Sequence, residues 1–336
     1  MAEQQLKLPS HHRPGGGFRN PWPGAQMHGF LDFLKWSLIE RRRNPRRPDP
    51  DPSVFTLTAS SYVVPRAAPD LSTITWIGHT SFLIQMGGFN VLADPVWSER
   101  ASPVQFAGPR RWVPPAVEFD ELPPVDAVIL SHDHYDHLDS STVSHLAHRY
   151  PAAKWYAPLG VGTFLRRHGA RDVTQSDWWE ESVFGDLRLT CLPAQHFSGR
   201  TLGKRDTTLW CGWALRTGSH SLLFGGDTAL HPDFASIATR CGPFDLAILP
   251  IGAYEPRWFM GSVHMNPEDC INAVDQLESG QNGAALVMAA AHWGTFKLTD
   301  EPMDEPPARM RERWQASRRK GEDLWIMRHG ETRIIP

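Results

Sequence analysis

Between Ser131 and Asp139 the chain reads SHDHYDHLD, and His132, His134, Asp136 and His137 fall in the spacing H-x-H-x-D-H. Imidazole and carboxylate groups are ligands for zinc, and equally for iron or manganese. Four such side chains within six residues cannot all point one way on a strand or helix, but on a loop they can surround a site. Four ligands from one loop are too many for a single catalytic ion that must keep an open position, which points to two adjacent cations. The plainer reading is a hydrogen-bonded polar loop.

Elements must then deliver the loop and the remaining ligands. VDAVILS (125–131) is a short apolar run ending directly before the cluster, as expected of a buried strand. His196 follows LRLTCLPAQ, Asp227 follows SLLFGG, and His292 follows ALVMAAA. Singly, each would be read as structural. Together they place a metal-competent residue at the end of three apolar runs, which brings all three to one edge of the fold.

The rest of the chain alternates strand and helix signals. FTLTASSYVVP (55–65) predicts a first strand, and ITWIGHTSFLIQMGGFNVLADP predicts two or three more, with Gly87-Gly88 as a hairpin turn. Residues 98–125 are proline-rich and read as a loop. SSTVSHLAHRY (140–150) reads as a helix capped by its own Ser and Thr. AKWYAP, DVTQS and LRLTCLPAQH read as strands, with a helix, GVGTFLRRHG, between the first two. TTLWCGWALRTGSHSLLFGGD is a second hairpin, turning at Gly218-Ser219. DLAILPIG and ALVMAAAHWG are buried strands on either side of helix NPEDCINAVDQLES, which is capped at or near Asn266 with Pro267 in its first position. Two strand-rich halves with interspersed helices imply an α/β sandwich.

Residues 1–53 are expected to form an N-terminal extension to a single domain spanning 54–336. Its first 29 residues are rich in Gly and Pro, and extended until they wrap the body. FLDFLKWSLIERRR (30–43) predicts a short amphipathic helix with Phe30, Phe33, Leu34 and Leu38 on one face. The helix is expected to pack on the body with its arginines solvated. The alternative is that Arg41, Arg42, Arg43, Arg46 and Arg47 meet an anionic membrane surface.

Composition sets outer bounds. A chain of 336 residues can bury the core of one large domain or two smaller ones. Lys plus Arg is 34 and Asp plus Glu is 37, a formal charge of −3, which offers no global reason for nucleic-acid binding. Cys191, Cys211, Cys241 and Cys270 are widely spaced without a CxxC pair, so no disulfide framework is expected. The N-terminus lacks an apolar core of signal-peptide type, and no run approaches the ~20 apolar residues of a membrane span. The expectation is a cytoplasmic protein, with peripheral membrane contact at most.

The ligand pattern resembles the metallo-β-lactamase superfamily: H-x-H-x-D-H, a strand-end His, a strand-end Asp in GGDT and a late His. The resemblance implies an αββα sandwich, two packed mixed β-sheets with helices on the outer faces. It implies one cation held by His132, His134 and His196 and a second by Asp136, His137 and His292. Asp227 would bridge both, together with a water or hydroxide. Two Zn2+ are expected, with Fe or Mn as alternatives.

Longer segments narrow the branch. TWIGHTSFLIQMGGFNVLADPVWSERASP, GPRRWVPP, PAQHFSGRTLGKRDTTLWCGWAL, GGDTALHPDF and PIGAYEPRWFMGSVHMNPEDC resemble the N-acylphosphatidylethanolamine-hydrolysing phospholipase D family, from about residue 54 to 298. In that family a histidine of a His-x-x-Pro-Glu segment lies near the substrate, and the matching residue here is His264. The implied reaction is phosphodiester hydrolysis releasing a phosphomonoester. Asp227, His264 and Asp136 form the expected catalytic set. Asp227 would position the attacking solvent, and His264 would polarise the substrate or protonate the leaving group.

His264, Tyr254, Glu255, Arg257 and Trp258 are expected to line the substrate rim, with core packing as the alternative for Trp258. His79 and Asp94, at strand ends, are either partners that orient ligands or ordinary turn residues. Two other functions fit the same residues: a lactone or other ester hydrolase, and a non-catalytic metal-dependent binding protein. The expected partners are a phospholipid or another phosphodiester or ester, and a second copy in a homodimer.

Overall fold

The computed structural model describes residues 9–25, 28–200 and 205–336, with Phe30 described by its backbone alone. The strands in chain order are β1 (Thr73–Gly78), β2 (Ser81–Met86), β3 (Phe89–Ala93), β4 (Ala127–Ile129), β5 (Lys154–Pro158), β6 (Asp172–Ser176), β7 (Glu181–Phe184), β8 (Leu187–Leu192), β9 (Gly212–Arg216), β10 (Ser221–Phe224), β11 (Leu246–Pro250), β12 (Val287–Ala291), β13 (Leu324–Trp325) and β14 (Thr332–Ile334). They form two seven-stranded sheets, β14-β1-β2-β3-β4-β5-β6 and β13-β12-β11-β10-β9-β8-β7. Each sheet is mixed. In the first, neighbours are antiparallel from β14 to β3 and parallel from β3 to β6. In the second, they are antiparallel from β7 to β10 and parallel from β10 to β13.

Helices α1 (Phe30–Leu34) and α2 (Arg41–Arg43) flank a π-helical stretch, Lys35–Glu40. Then come α3 (Ser140–Arg149), α4 (Gly162–Arg167), α5 (Phe234–Cys241), α6 (Arg257–Met260), α7 (Pro267–Gly280) and α8 (Glu305–Ala316). The two-residue period of a strand assigns the layers. Along β2, Phe82 and Ile84 face the second sheet and pack in one cluster with Leu189, Trp213, Leu215 and Phe224. Leu83, between them, faces outward and joins Leu92 and Val128 under Val143 and Leu146 of α3 and Leu165 of α4. On the far side, Phe234, Val274 and Met310 of α5, α7 and α8 pack against the second sheet. The order helix, sheet, sheet, helix is the αββα sandwich implied by the resemblance.

The hairpin at Gly87-Gly88 is present, with φ 61° and 80°, the left-handed pair that a two-residue turn between β2 and β3 requires. α7 begins as expected: Asn266 caps it by accepting from the Asp269 N–H at 2.8 Å, and Pro267 opens it. The cap of α3 differs. It is Asp139, whose carboxylate accepts from Ser141 N, so the Ser and Thr lie inside the helix.

Residues 55–65 are not a strand, because β14 from the C-terminus already occupies the edge beside β1. The segment makes an isolated bridge at Leu57, and Gln85 hydrogen-bonds both backbone groups of Val63. Helices α5 and α8 and strands β13 and β14 carry no counterpart in the sequence reading. β13 and β14 complete the outer edges of the two sheets.

The helical stretch 30–43 turns a different residue inward from those expected. Trp36 is 5% exposed, whereas Phe33, Leu38 and Leu31 are 44%, 53% and 79% exposed. A π-helical turn shifts the angular spacing of side chains, so the 3.6-residue period no longer selects the buried face. The arginines are only partly solvated. Arg41 and Arg46 pair with Asp300, and Arg47 pairs with Glu305, while Arg42 and Arg43 are exposed. Upstream, residues 9–25 lie along the body: His11 and His12 reach Asp177, Arg13 reaches Asp206, and Phe18 is buried. The four cysteines are free thiols. Among the described residues, no helix is long and apolar enough to cross a membrane.

Candidate metal centre

Strand direction gathers the candidate residues. β1, β3 and β4 run the same way in the first sheet, as do β8, β10, β11 and β12 in the second. Their C-terminal ends share one edge, where loops rather than ladder bonds carry the side chains. His79 follows β1, Asp94 follows β3 and the 132–137 loop follows β4. His196, Asp227 and His292 follow β8, β10 and β12. Two glycines permit the approach. Gly226 holds φ 58°, and a Cβ there would lie 2.5 Å from the Ser131 Cβ. At Gly252 a Cβ would lie 2.1 Å from the His292 carbonyl oxygen.

The gathered residues form two groups that share one carboxylate. In the first, Nε2 of His132 and Nε2 of His196 lie 2.8 and 3.1 Å from Nδ1 of His134. In the second, Nε2 of His137 and Nε2 of His292 lie 3.5 and 3.4 Å from Oδ2 of Asp136. Oδ2 of Asp227 faces both groups, 3.1 Å from the His137 and His292 nitrogens and 3.8 Å from those of His132 and His196.

The far side of several rings is already engaged. His137 Nδ1 donates to Asp94 Oδ2 at 2.8 Å. His196 Nδ1 donates to the Val263 carbonyl at 2.9 Å. The Ser131 hydroxyl donates to Asp94, so it accepts from His132 Nδ1 at 2.9 Å. A neutral imidazole bears one proton, so the Nε2 atoms of His132 and His196, and that of His137 in its neutral form, present lone pairs inward. Asp133 and Arg200 brace the loop: Asp133 accepts from Gly199 N at 2.8 Å, and Arg200 donates to the Asp133 carbonyl.

Converging lone pairs and carboxylates in a buried space repel one another unless a cation lies among them. His137 Nε2, His292 Nε2 and Asp227 Oδ1 are buried without hydrogen-bond partners. The protonation energetics agree. Burial pushes His132, His134 and His196 down, the latter two to about 3 and about 4. Burial also pushes His292 down, but Asp227 and Asp136 outweigh it and hold the ring at about 9; the same carboxylates raise His137. Burial raises Asp136 and Asp227, yet the facing imidazoles hold both well below the carboxylate range. The donor set therefore fits divalent metal binding through imidazole and carboxylate ligands.

His264 stands beside the two groups. It is buried, its ring lies 5.0 Å from those of His196 and His292, and its Nδ1 lacks a hydrogen-bond partner. Burial pushes it well below its ordinary value, so the ring is neutral. The centre opens into a groove of 670 Å³ whose walls include His134, Asp136, Asp227 and His264 with Phe33, Trp36, Phe197, Phe259, Met260, Val263 and Leu298.

Tyr254, Glu255, Arg257 and Trp258 do not line this groove. Tyr254 is fully buried and donates to Glu305 on α8, and Arg257 is tied to Asp269 and to the His264 carbonyl. Glu255 accepts from the Arg257 N–H. Trp258 packs edge-on against His28 under the Lys35 ammonium. Their neighbours Ala253, Phe259 and Met260 supply the wall instead. Trp36 and Phe197 escaped sequence reasoning because an aromatic residue beside a site carries the same signal as one in a core.

The family model for the beta-lactamase superfamily domain matches residues 89–293. An uncharacterized protein of Mycobacterium tuberculosis is 41% identical over 283 residues, covering 83% of this chain and 72% of the relative. The N-acyl-phosphatidylethanolamine-hydrolyzing phospholipase D 1 of Caenorhabditis elegans is 39% identical over 249 residues, covering 71% of this chain and 68% of the relative. Among solved structures, the metallo hydrolase Igni18 of Ignicoccus hospitalis superposes with a TM-score of 0.58 at 18% identity, over 79% of this chain and 99% of its own, a likeness of fold.

Proposed function

This chain belongs to the β-lactamase superfamily, on the branch of the N-acylphosphatidylethanolamine-hydrolysing phospholipases D, and from that premise we propose that it is a dinuclear phosphodiesterase cleaving N-acylphosphatidylethanolamine-like lipids. The observation that carries the reading is the meeting of two metal-competent groups, both faced by Asp227, with an apolar groove of 670 Å³. A phosphodiester can lie at the polar floor while acyl chains follow the walls of Phe33, Trp36, Phe259 and Leu298.

In the proposed assignment His132, His134 and His196 would hold one cation and Asp136, His137 and His292 the other, with Asp227 available to both. When bound, such a pair supplies Lewis acidity and a water acidified enough to act as nucleophile near neutral pH. The protein's own contributions are positional. Asp94, Ser131 and the Val263 carbonyl lock ring orientations so that nitrogen lone pairs converge. His264, neutral and within 4.8 Å of ligand atoms of Asp227 and His292, is placed to donate a ring N–H to the leaving-group oxygen. Water adds to phosphorus, the bond to the N-acylethanolamine oxygen breaks, and that oxygen takes up a proton, leaving phosphatidic acid.

The N-terminal helical stretch supports peripheral lipid contact. Leu31, Leu38 and Ile39 are exposed alongside Lys35, Arg42 and Arg43, an apolar face flanked by cations. Phe33 connects that face to the groove.

The test is turnover by zinc-reconstituted protein of bis(p-nitrophenyl) phosphate and of N-acylphosphatidylethanolamine in vesicles, with a lactone panel beside them. Hydrolysis of both phosphodiesters is expected. A metal-loaded sample that turns over neither sinks the proposal, and preferential lactone turnover transfers it to ester hydrolysis.

A further inference from the structure

Most ligand nitrogens are braced from behind, and the carboxylate of Asp136 needs an equivalent. Its side chain is the more open of the two shared-site carboxylates, 13% exposed against 2% for Asp227. It sits on a loop that forms part of the groove wall. His79, whose ring nitrogen lies within 4.8 Å of the ligand atoms of Asp136, His137 and His292, approaches Asp136 from the turn between β1 and β2, with Nε2 3.0 Å from Asp136 Oδ2. That oxygen is the one that faces the His137 and His292 nitrogens. Nδ1 of His79 is buried and has no partner, so the ring proton belongs on Nε2, donated to the carboxylate.

The backbone of His79 is fixed on every side. It holds φ 55°, a conformation that a residue with a Cβ adopts at a cost. Its N–H donates to the Thr295 hydroxyl at 2.7 Å, and Thr295 in turn meets His329 Nε2 at 3.1 Å. Its carbonyl accepts from Trp76 Nε1 at 2.9 Å and from the His292 N–H at 3.0 Å. One residue thus touches two ligands of the same group: Asp136 through its ring and His292 through its backbone. Among the described residues, the hydrogen bonds of His79 go to Trp76, Thr295, Asp136 and His292, and none goes to His132, His134 or His196.

Resting on the dinuclear reading above, we propose that His79 is a positioning residue for the second cation alone, pinning Asp136 Oδ2 and the start of the His292 turn in binding geometry. Its removal acts on the affinity of that cation and leaves the first unchanged.

The experiment is competitive Zn2+ titration of metal-depleted full-length protein against a chromophoric chelator. His132→Ala isolates the second group and His292→Ala isolates the first. In the His132→Ala background, adding His79→Ala is expected to weaken zinc binding about 10–100-fold, the usual effect of losing such a partner. In the His292→Ala background it is expected to change nothing. His79→Gln, whose amide N–H reaches where Nε2 stood, restores most of the affinity, and the shorter His79→Asn does not. The Gln and Asn pair decides the matter even if the alanine variant fails to fold. Undiminished binding with His79→Asn, or equal weakening in both backgrounds, overturns the proposal. Fewer than two equivalents in the unsubstituted protein overturns the dinuclear reading instead, so the two failures are distinct.

Discussion

Asp94 holds His137 from behind, accepting its Nδ1–H at 2.8 Å with the same carboxylate that accepts the Ser131 N–H at 2.7 Å. All three groups are buried. The carboxylate therefore sets the tautomer of His137 and, through Ser131, the ring of its neighbour His132. One ligand of each group depends on it. Asp94→Asn keeps the shape but places an amide where an acceptor is required. It is expected to lower the affinity for both cations by roughly 10–100-fold, read by the same chelator competition. A loss confined to one cation would show that the Ser131 link carries no effect.

The shared position of Asp227 leads to a sharper contrast. His132→Ala and His292→Ala should each cost one bound equivalent, and Asp227→Ala both, since its Oδ2 faces all four of the nitrogens measured to it. Metal content by elemental analysis checks this. Activity should fall by more than the roughly 100-fold that losing an outer partner can cost. An Asp227→Ala protein that keeps two equivalents would remove the bridge.

Without a cation, a proton takes its place on the second group. His292 is held at about 9, above its ordinary 6.5, by Asp227 and Asp136 acting against burial. A raised folded value means stabilisation that is complete below 6.5 and fades as pH rises through about 9. The chelator-treated protein should accordingly lose thermal stability between pH 6.5 and 9, and the zinc-loaded protein should not. Zinc binding at pH 7 should also release protons, measurable by calorimetry in buffers of different ionisation enthalpy. Identical pH profiles with and without zinc would contradict this.

Trp36 separates groove from chemistry. It is buried against Met260 and Val263 beside Phe259 and Phe197, and its indole donates to Asp300. Trp36→Ala removes a wall of the groove without touching a candidate ligand. Hydrolysis of long-chain lipid should fall about tenfold, as ~1.4 kcal/mol of lost apolar contact implies, with bis(p-nitrophenyl) phosphate turnover nearly unchanged. An equal decline on both substrates would assign Trp36 to folding alone.

The N-terminal segment makes a separate test of stability. His11 and His12 both reach the Asp177 carboxylate, at 2.6 and 2.7 Å, and Asn20 donates to the His196 carbonyl at 2.8 Å. Asp177→Asn should weaken this attachment by on the order of 1–2 kcal/mol. Limited proteolysis should then cut within residues 9–25 faster than in the unsubstituted protein. An unchanged cleavage rate would mean that the attachment rests on Phe18 and Arg13.

What the sequence by itself determined is the part that chemistry writes into residue type. Metal ligation accepts only a few side chains, so H-x-H-x-D-H and the strand-end His196, Asp227 and His292 were legible, as were buried apolar runs such as 125–131 and the glycine pair at 87–88. The sandwich followed from strand-rich halves and from family resemblance.

Tertiary structure decided what depends on neighbours distant in the chain. Residues 55–65 read as a strand, but β14, some 270 residues later, takes the edge they would have filled. Trp36, rather than Phe33 or Leu38, turns inward because a π-helical turn and Asp300 select it. Tyr254 points at Glu305 instead of the groove, and His79 reaches Asp136 across 57 residues. Local pattern encodes period and polarity, whereas orientation is settled by packing and hydrogen bonds between segments that only the fold brings together.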